Sequence, residues 1–124
     1  MTLLPTHLLR GAHAEEQACR YLLEHGLRLI TRNYRCRRGE IDLIMQDRGN
    51  LVFVEVRYRR QCQYGSGLES VTPRKQHRIV HCATQFLQCH PQQAQQPARF
   101  DVVAVKPDRD GTQIEWIRNA FDAF

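Results

Sequence analysis

Lysine is nearly absent from this chain: of its 18 basic residues only Lys75 and Lys106 are lysine. Cys19, Cys36, Cys62, Cys82 and Cys89 contain no CxxC pair. Cys89-His90 has no partner pair at zinc-finger spacing, so a structural zinc site is not expected. An odd number of cysteines without paired spacing reads as a reduced, cytoplasmic protein. The start, MTLLPTHLLRG, lacks a basic opening and a long apolar core. No uninterrupted apolar run is long enough to span a bilayer, so neither export nor membrane insertion is expected. Gly65-Ser66-Gly67 is not followed by the lysine and hydroxyl that a Walker phosphate loop needs. With no repeat or linker, the 124 residues read as one domain, 1–124, around a single core.

What is present is positive charge. A net charge of +5 and a pI near 9.2 favour a polyanionic partner. Arginine in place of lysine suits bidentate phosphate contacts, although the base composition of a genome produces the same bias.

From about residue 10 to 25, Ala14, Ala18, Tyr21 and Leu22 form one apolar face of a helix that Gly26 can close. Glu15 falls beside that face, while Glu16 lines up with Arg20 and should see solvent. Residues 27–33 read as a first strand and 34–39 as a basic connection. Two apolar runs, 41–46 and 51–58, then flank Asp47-Arg48-Gly49-Asn50, a β-hairpin with a four-residue loop. If Gln46 faces Leu51, Asp42 lies opposite Glu55 and Glu40 opposite Arg57. Alternation puts Glu55 and Arg57 with Leu51 and Phe53, and Val52, Val54 and Val56 on the other face, so both faces look buried. Facing carboxylates among Ile, Val and Phe need a counter-charge, from a divalent cation or from Arg57.

Residues 61–70 read as a loop. Thr72-Pro73 caps a helix to about residue 89, with Ile79, Cys82, Ala83, Phe86 and Leu87 inward and Arg74, His77, Arg78 and His81 outward. Lys75 falls at the inward edge. Strands are expected over 99–105 and 112–117. Asp101 has a structural role, facing the core or pairing with Arg99, and the aromatic tail, 116–124, closes the core or forms a dimer contact.

Asp42 followed by Glu55-Val56-Arg57 resembles the D…ExK signature of the PD-(D/E)XK nuclease superfamily, which includes restriction endonucleases and archaeal Holliday-junction resolvases. The longer strings GEIDLI and VFVEV resemble the YraN-like family of small bacterial proteins. Similarity extends to Gly11-x-x-Ala14-Glu15-x-x-Ala18-x-x-Tyr21-Leu22, to Asn33-Tyr34-Arg35, to Ser70-Val71-Thr72 with Lys75, and to Arg99-Phe100-Asp101-Val102-Val103. It therefore covers nearly the whole chain. The resemblance agrees with the element order α-β-β-β-α-β-β, a restriction-endonuclease-like α/β sandwich with a mixed sheet of about five strands. It implies Mg²⁺ or Mn²⁺ held by Asp42, Glu55, the Val56 carbonyl and Glu15. Arg57 stands where the superfamily usually has lysine, which makes Lys75 a candidate substitute cation.

The leading expectation is a metal-dependent endonuclease on DNA, branched or otherwise structured, with Asp42, Glu55, Arg57, Glu15 and Lys75 as catalytic candidates. Tyr34, Arg35, Arg37, Arg38, Arg59, Arg74 and Arg78 are the nucleic-acid-binding candidates, Tyr34 as a surface for an unpaired base. The competing expectation is a nucleic-acid-binding module that keeps the scaffold and cuts nothing. A third is an interaction subunit whose basic loops bind a protein. A homodimer is compatible with each.

Overall fold

The computed structural model describes residues 6–58, 71–108 and 111–122, with backbone alone for 6–10 and 107–108. Helix α1 (Thr6–Glu24) leads into β1 (Arg28–Cys36), β2 (Gly39–Asp47) and β3 (Asn50–Tyr58). Helix α2 (Pro73–Cys89), a 3-10 turn at Gln93–Gln95, β4 (Ala98–Asp108) and β5 (Gly111–Phe121) follow. The five strands lie side by side in chain order, β3 and β4 parallel and every other pair antiparallel. This is the mixed α/β sandwich and element order expected. Helix α2 lies in the crossover that two parallel neighbours require.

Local chemistry sets the helix ends. Gly26, at φ 96°, reverses the chain after α1, and the Leu27 and Gly26 N–H groups donate to the Leu22 and Leu23 carbonyls, each at 3.1 Å. At α2 the Thr72 hydroxyl accepts the Lys75 N–H at 3.2 Å and Pro73 fills the first turn. Each helix covers one face of the sheet. Ala14, Ala18, Cys19 and Leu22 pack on Leu43, Met45, Val52, Val54, Val103 and Val105. Ile79, Cys82, Ala83 and Phe86 pack on Ile44, Leu51, Phe53, Phe100 and Val102. β3 is thus buried on both faces, as its sequence implied.

The hairpin loop is shorter than expected, because Asp47 and Asn50 still pair and only Arg48 and Gly49 turn the chain. β1 runs on to Cys36 and absorbs half of the supposed basic connection. β5 runs to Phe121, so as far as that residue the tail joins the core: Trp116 packs against the α1-side cluster and Phe121 stacks on Phe100 with centroids 4.9 Å apart, while 123–124 lie outside the described residues.

Asp101 is fully buried and fully employed. Its carboxylate takes the Arg99 Nε at 3.0 and 3.2 Å, the Trp116 Nε1 at 2.9 Å and the Asn119 N–H at 2.9 Å, and Arg99 also binds Asp47 at 2.8 Å. The structural role expected of Asp101 is therefore to tie β4 to β5. Asp101→Asn removes the charge behind these bonds, and a stability loss of about 2 kcal/mol is expected in denaturant melts.

One expectation is corrected. The cysteines are not all reduced: Cys36 and Cys82 form a disulfide, with Cα atoms 5.4 Å apart. Their separation of 46 residues carries no pairing signal in sequence, and they meet because α2 lies back across the end of β1. Among the described residues Cys19 is free and buried and Cys89 free and exposed. No described helix is long and apolar enough to cross a membrane.

Candidate functional site

The site begins where the hairpin comes apart. β2 pairs with β3 from Asp47↔Asn50 to Leu43↔Val54. Beyond that point β2 stays with β1 as far as Gly39, and β3 stays with β4 as far as Tyr58. The sheet forks there. Side-chain alternation slips at the same place, for Leu43 and Met45 join the α1-side core while Ile41 joins the α2-side core, although odd-numbered residues of a regular strand share one face. Asp42 lies at the slip, and its Oδ2 accepts the Val56 N–H at 2.7 Å in place of a strand carbonyl.

Carboxylates gather in this fork. Glu15 from α1 and Glu40 and Asp42 from β2 each place an oxygen within 4.8 Å of the others. Asp42 also shares a recess of about 330 Å³ with Glu55, Glu40, Arg38, Gly39, Lys75, Arg78 and Ile79. Burial pushes Asp42 up to about 7, opposed by the Val56 N–H and reinforced by the charges of Glu15 and Glu40. Burial likewise lifts Glu55 to about 7, with the charge of Asp42 adding and Lys75 and Arg57 opposing. Glu15 is raised as well, first by burial and further by Glu40 and Glu55. Hard oxygen donors that repel one another in a desolvated fork are the chemistry a divalent cation satisfies, so Mg²⁺ or Mn²⁺ fits this donor set.

Cations already reach part of the site. Lys75 Nζ lies 3.1 Å from Glu55 Oε1 and an Arg57 guanidinium nitrogen 3.8 Å from the same oxygen. Glu40 does not face Arg57 as the extended register suggested; its partner is Arg35, opposite it on β1, at 3.4 Å. The fork ends the β2–β3 register before it reaches these residues. Glu16 is turned away from the fork, on Arg32 at 2.6 Å and Arg20 at 3.2 Å.

The basic candidates divide. Arg38, Arg74 and Arg78 line one concavity of about 390 Å³ with His77 and His81. Arg37 is exposed on the β1–β2 turn, and Arg35 is exposed near the end of β1. Tyr34 is partly buried, edge-on to Phe86 with centroids 5.3 Å apart, which makes it a packing residue. Arg59 and the loop over 61–70 lie outside the described residues.

Sequence reasoning gave no site role to Glu40 or Asn33. Asn33 has φ 50°, a left-handed backbone that asparagine tolerates better than most residues. Its carboxamide, oriented with the NH₂ toward the acids, donates to Glu40 Oε1 at 2.9 Å and Glu15 Oε2 at 3.2 Å. The only signal was its place in the Asn33-Tyr34-Arg35 string.

Comparison with known proteins agrees in extent. The model of the uncharacterised protein family UPF0102 matches residues 14–105. A UPF0102 protein of Nitrosococcus oceani is 49% identical over 116 residues, covering 94% of each chain. One from Stutzerimonas stutzeri is 49% identical over 113 residues, covering 91% of this chain and 94% of the relative. Among solved structures, Pyrococcus furiosus SfsA in complex with Ca²⁺ aligns at a TM-score of 0.36 and 13% identity, over 90% of this chain and 63% of that one. That likeness is too slight to bear on function.

Proposed function

The chain belongs to the uncharacterised protein family UPF0102, and from the acidic fork we propose that it is a metal-dependent endonuclease acting on DNA, with branched or otherwise structured DNA as the preferred substrate. The observation that carries this reading is the convergence of Glu15, Glu40, Asp42 and Glu55 on one forked sheet, with Lys75 and Arg57 at its edge.

Asp42, Glu15 and Glu55, with the Val56 carbonyl, are the proposed ligands of Mg²⁺ or Mn²⁺, and Glu40 joins them. When bound, the cation supplies a water of lowered pKa and offsets charge on the phosphate. Val56 N–H holds the Asp42 carboxylate in place, and Asn33 does the same for Glu40 and Glu15. Lys75 opposes the burial that raises Glu55 and brings a positive charge beside the phosphate. Arg57 can add charge stabilisation but cannot act as a base, because guanidinium stays protonated.

Mn²⁺ or Mg²⁺ is expected to raise the melting temperature at pH 8, and to license cleavage in a screen of duplex, nicked, flap, four-way and single-stranded DNA. No melting shift and no cleavage with either ion would end this reading. Arg57→Ala is expected to cost about 2 to 4 kcal/mol of transition-state stabilisation, and Arg57→Lys to retain cleavage or raise it.

A second reading, a binding module without catalysis, draws on Lys75 and Arg57 both neutralising Glu55. Under it Arg57→Ala lowers stability and leaves DNA binding little changed.

A further inference from the structure

We propose that the concavity lined by Arg38, Arg74, His77, Arg78 and His81 is a phosphate subsite, holding the backbone of the same DNA strand next to the phosphodiester that enters the acidic fork. The proposal rests on the nuclease reading and adds the path of the substrate to it.

Among the described residues the arginines of this cluster differ from the others in their ion pairing. Arg20, Arg32, Arg35, Arg57 and Arg99 each face a carboxylate. Among the described residues no carboxylate forms an ion pair with Arg38, Arg74 or Arg78. Arg74 and Arg78 lie four apart on one helix face, where like charges repel. The first turn of α2 has no acid, and it carries Arg74 and Lys75 at the positive end of the helix dipole. The Thr72 cap and Pro73 favour the helix, but the charges on its first turn are unfavourable for the helix alone and favourable once an anion is present.

The cluster is also built from two elements held in register. Arg38 comes from the β1–β2 turn and the other four from α2. The Cys36–Cys82 bond fastens that turn to the helix. Gly39, the first residue of β2, packs close under the helix: a Cβ there would be in ordinary contact with the Arg78 Cβ at 3.4 Å and the Cys82 Sγ at 3.8 Å. Arg38 and Arg78 line both this concavity and the acidic recess, so the two are contiguous. Among the described residues the lining is three arginines and two histidines, without Phe, Tyr or Trp, a composition that suits phosphate contact over base readout.

The test is binding of a fluorescein-labelled duplex, followed by anisotropy in EDTA at low salt, so that cleavage plays no part. Arg74→Glu and His81→Ala are compared with Arg28→Glu, a charge reversal on β1 outside both recesses. Arg74→Glu is expected to weaken binding about tenfold and to lower the salt slope by about one. His81→Ala should weaken it less, and Arg28→Glu should change it by less than about twofold. Equal losses for Arg74→Glu and Arg28→Glu would show general attraction only, and no loss for Arg74→Glu would place the strand elsewhere; either overturns the subsite. Inorganic phosphate added as competitor should displace the duplex only weakly, and equal displacement by phosphate and unlabelled duplex would overturn the strand assignment in favour of a free-phosphate site. If the wild type binds in this manner yet never cuts, the nuclease reading fails while the subsite stands.

Discussion

Asp42→Asn is expected to remove cleavage by on the order of a thousandfold or more, while making the metal-free protein more stable above pH 7. The two effects have one origin. Asp42 is forced to about 7 in the folded chain against 3.8 ordinarily, so the native state binds its proton more tightly than the unfolded state does. Native stability from this group is then fully present below about pH 4, falls as pH rises toward 7, and stays low above that. Ionising the buried acid costs on the order of 4 kcal/mol at most. Asparagine is never ionised and its amide oxygen can still accept the Val56 N–H. Melting temperatures of the two proteins in EDTA should therefore agree near pH 4 and diverge by several degrees by pH 8. Saturating Mn²⁺ should close the gap from the wild-type side. An asparagine variant no more stable than wild type at pH 8 would mean that the fork does not desolvate Asp42.

Reduction of Cys36–Cys82 is the second large effect. A cross-link spanning 46 residues removes loop-closure entropy from the unfolded chain worth about 4 kcal/mol in the chain-entropy account. For a chain of this length that corresponds to a fall in melting temperature of about 15 °C. Thiol titration under denaturing conditions should find two more free thiols after reduction. Cys82→Ala should reproduce the melting shift without reductant. Equal melting with and without reductant, with the bond shown intact beforehand, would remove it from the account of stability. DNA binding should fall with the bond too, because the turn carrying Arg38 is no longer fastened to the helix carrying Arg78.

The fold was legible because its signals are local and agree with one another. Ala14, Ala18 and Leu22 repeat at helical spacing, Thr72-Pro73 caps α2, and Asp47 to Asn50 turn between two apolar runs. Register at the closed end of the hairpin followed from that turn. The open end did not, since neither alternation nor turn chemistry says where a ladder stops. Glu40 was therefore matched to Arg57 across a gap that exists only in three dimensions. Helix phase put Glu15 and Lys75 at the inward edges of their helices, where a phase error of one residue, about 100°, would have turned each toward solvent; the family resemblance put them with the acids. Asn33 could not, since its part depends on a left-handed backbone. The disulfide was hidden for a simpler reason: five cysteines permit many pairings, and only the lie of α2 across β1 selects one.

The bond from Val56 N–H to Asp42 has a spectroscopic consequence. In an unbroken ladder that amide would answer to a peptide carbonyl, whose charge never changes. Here it answers to a group that titrates near neutrality and sits among the proposed metal ligands. Its proton resonance should move downfield as Asp42 ionises and shift again when a cation draws charge from the carboxylate. Its exchange with solvent deuterium should slow when the fork is loaded. A single backbone nucleus would then report the occupancy of the whole site, with no label and no substrate.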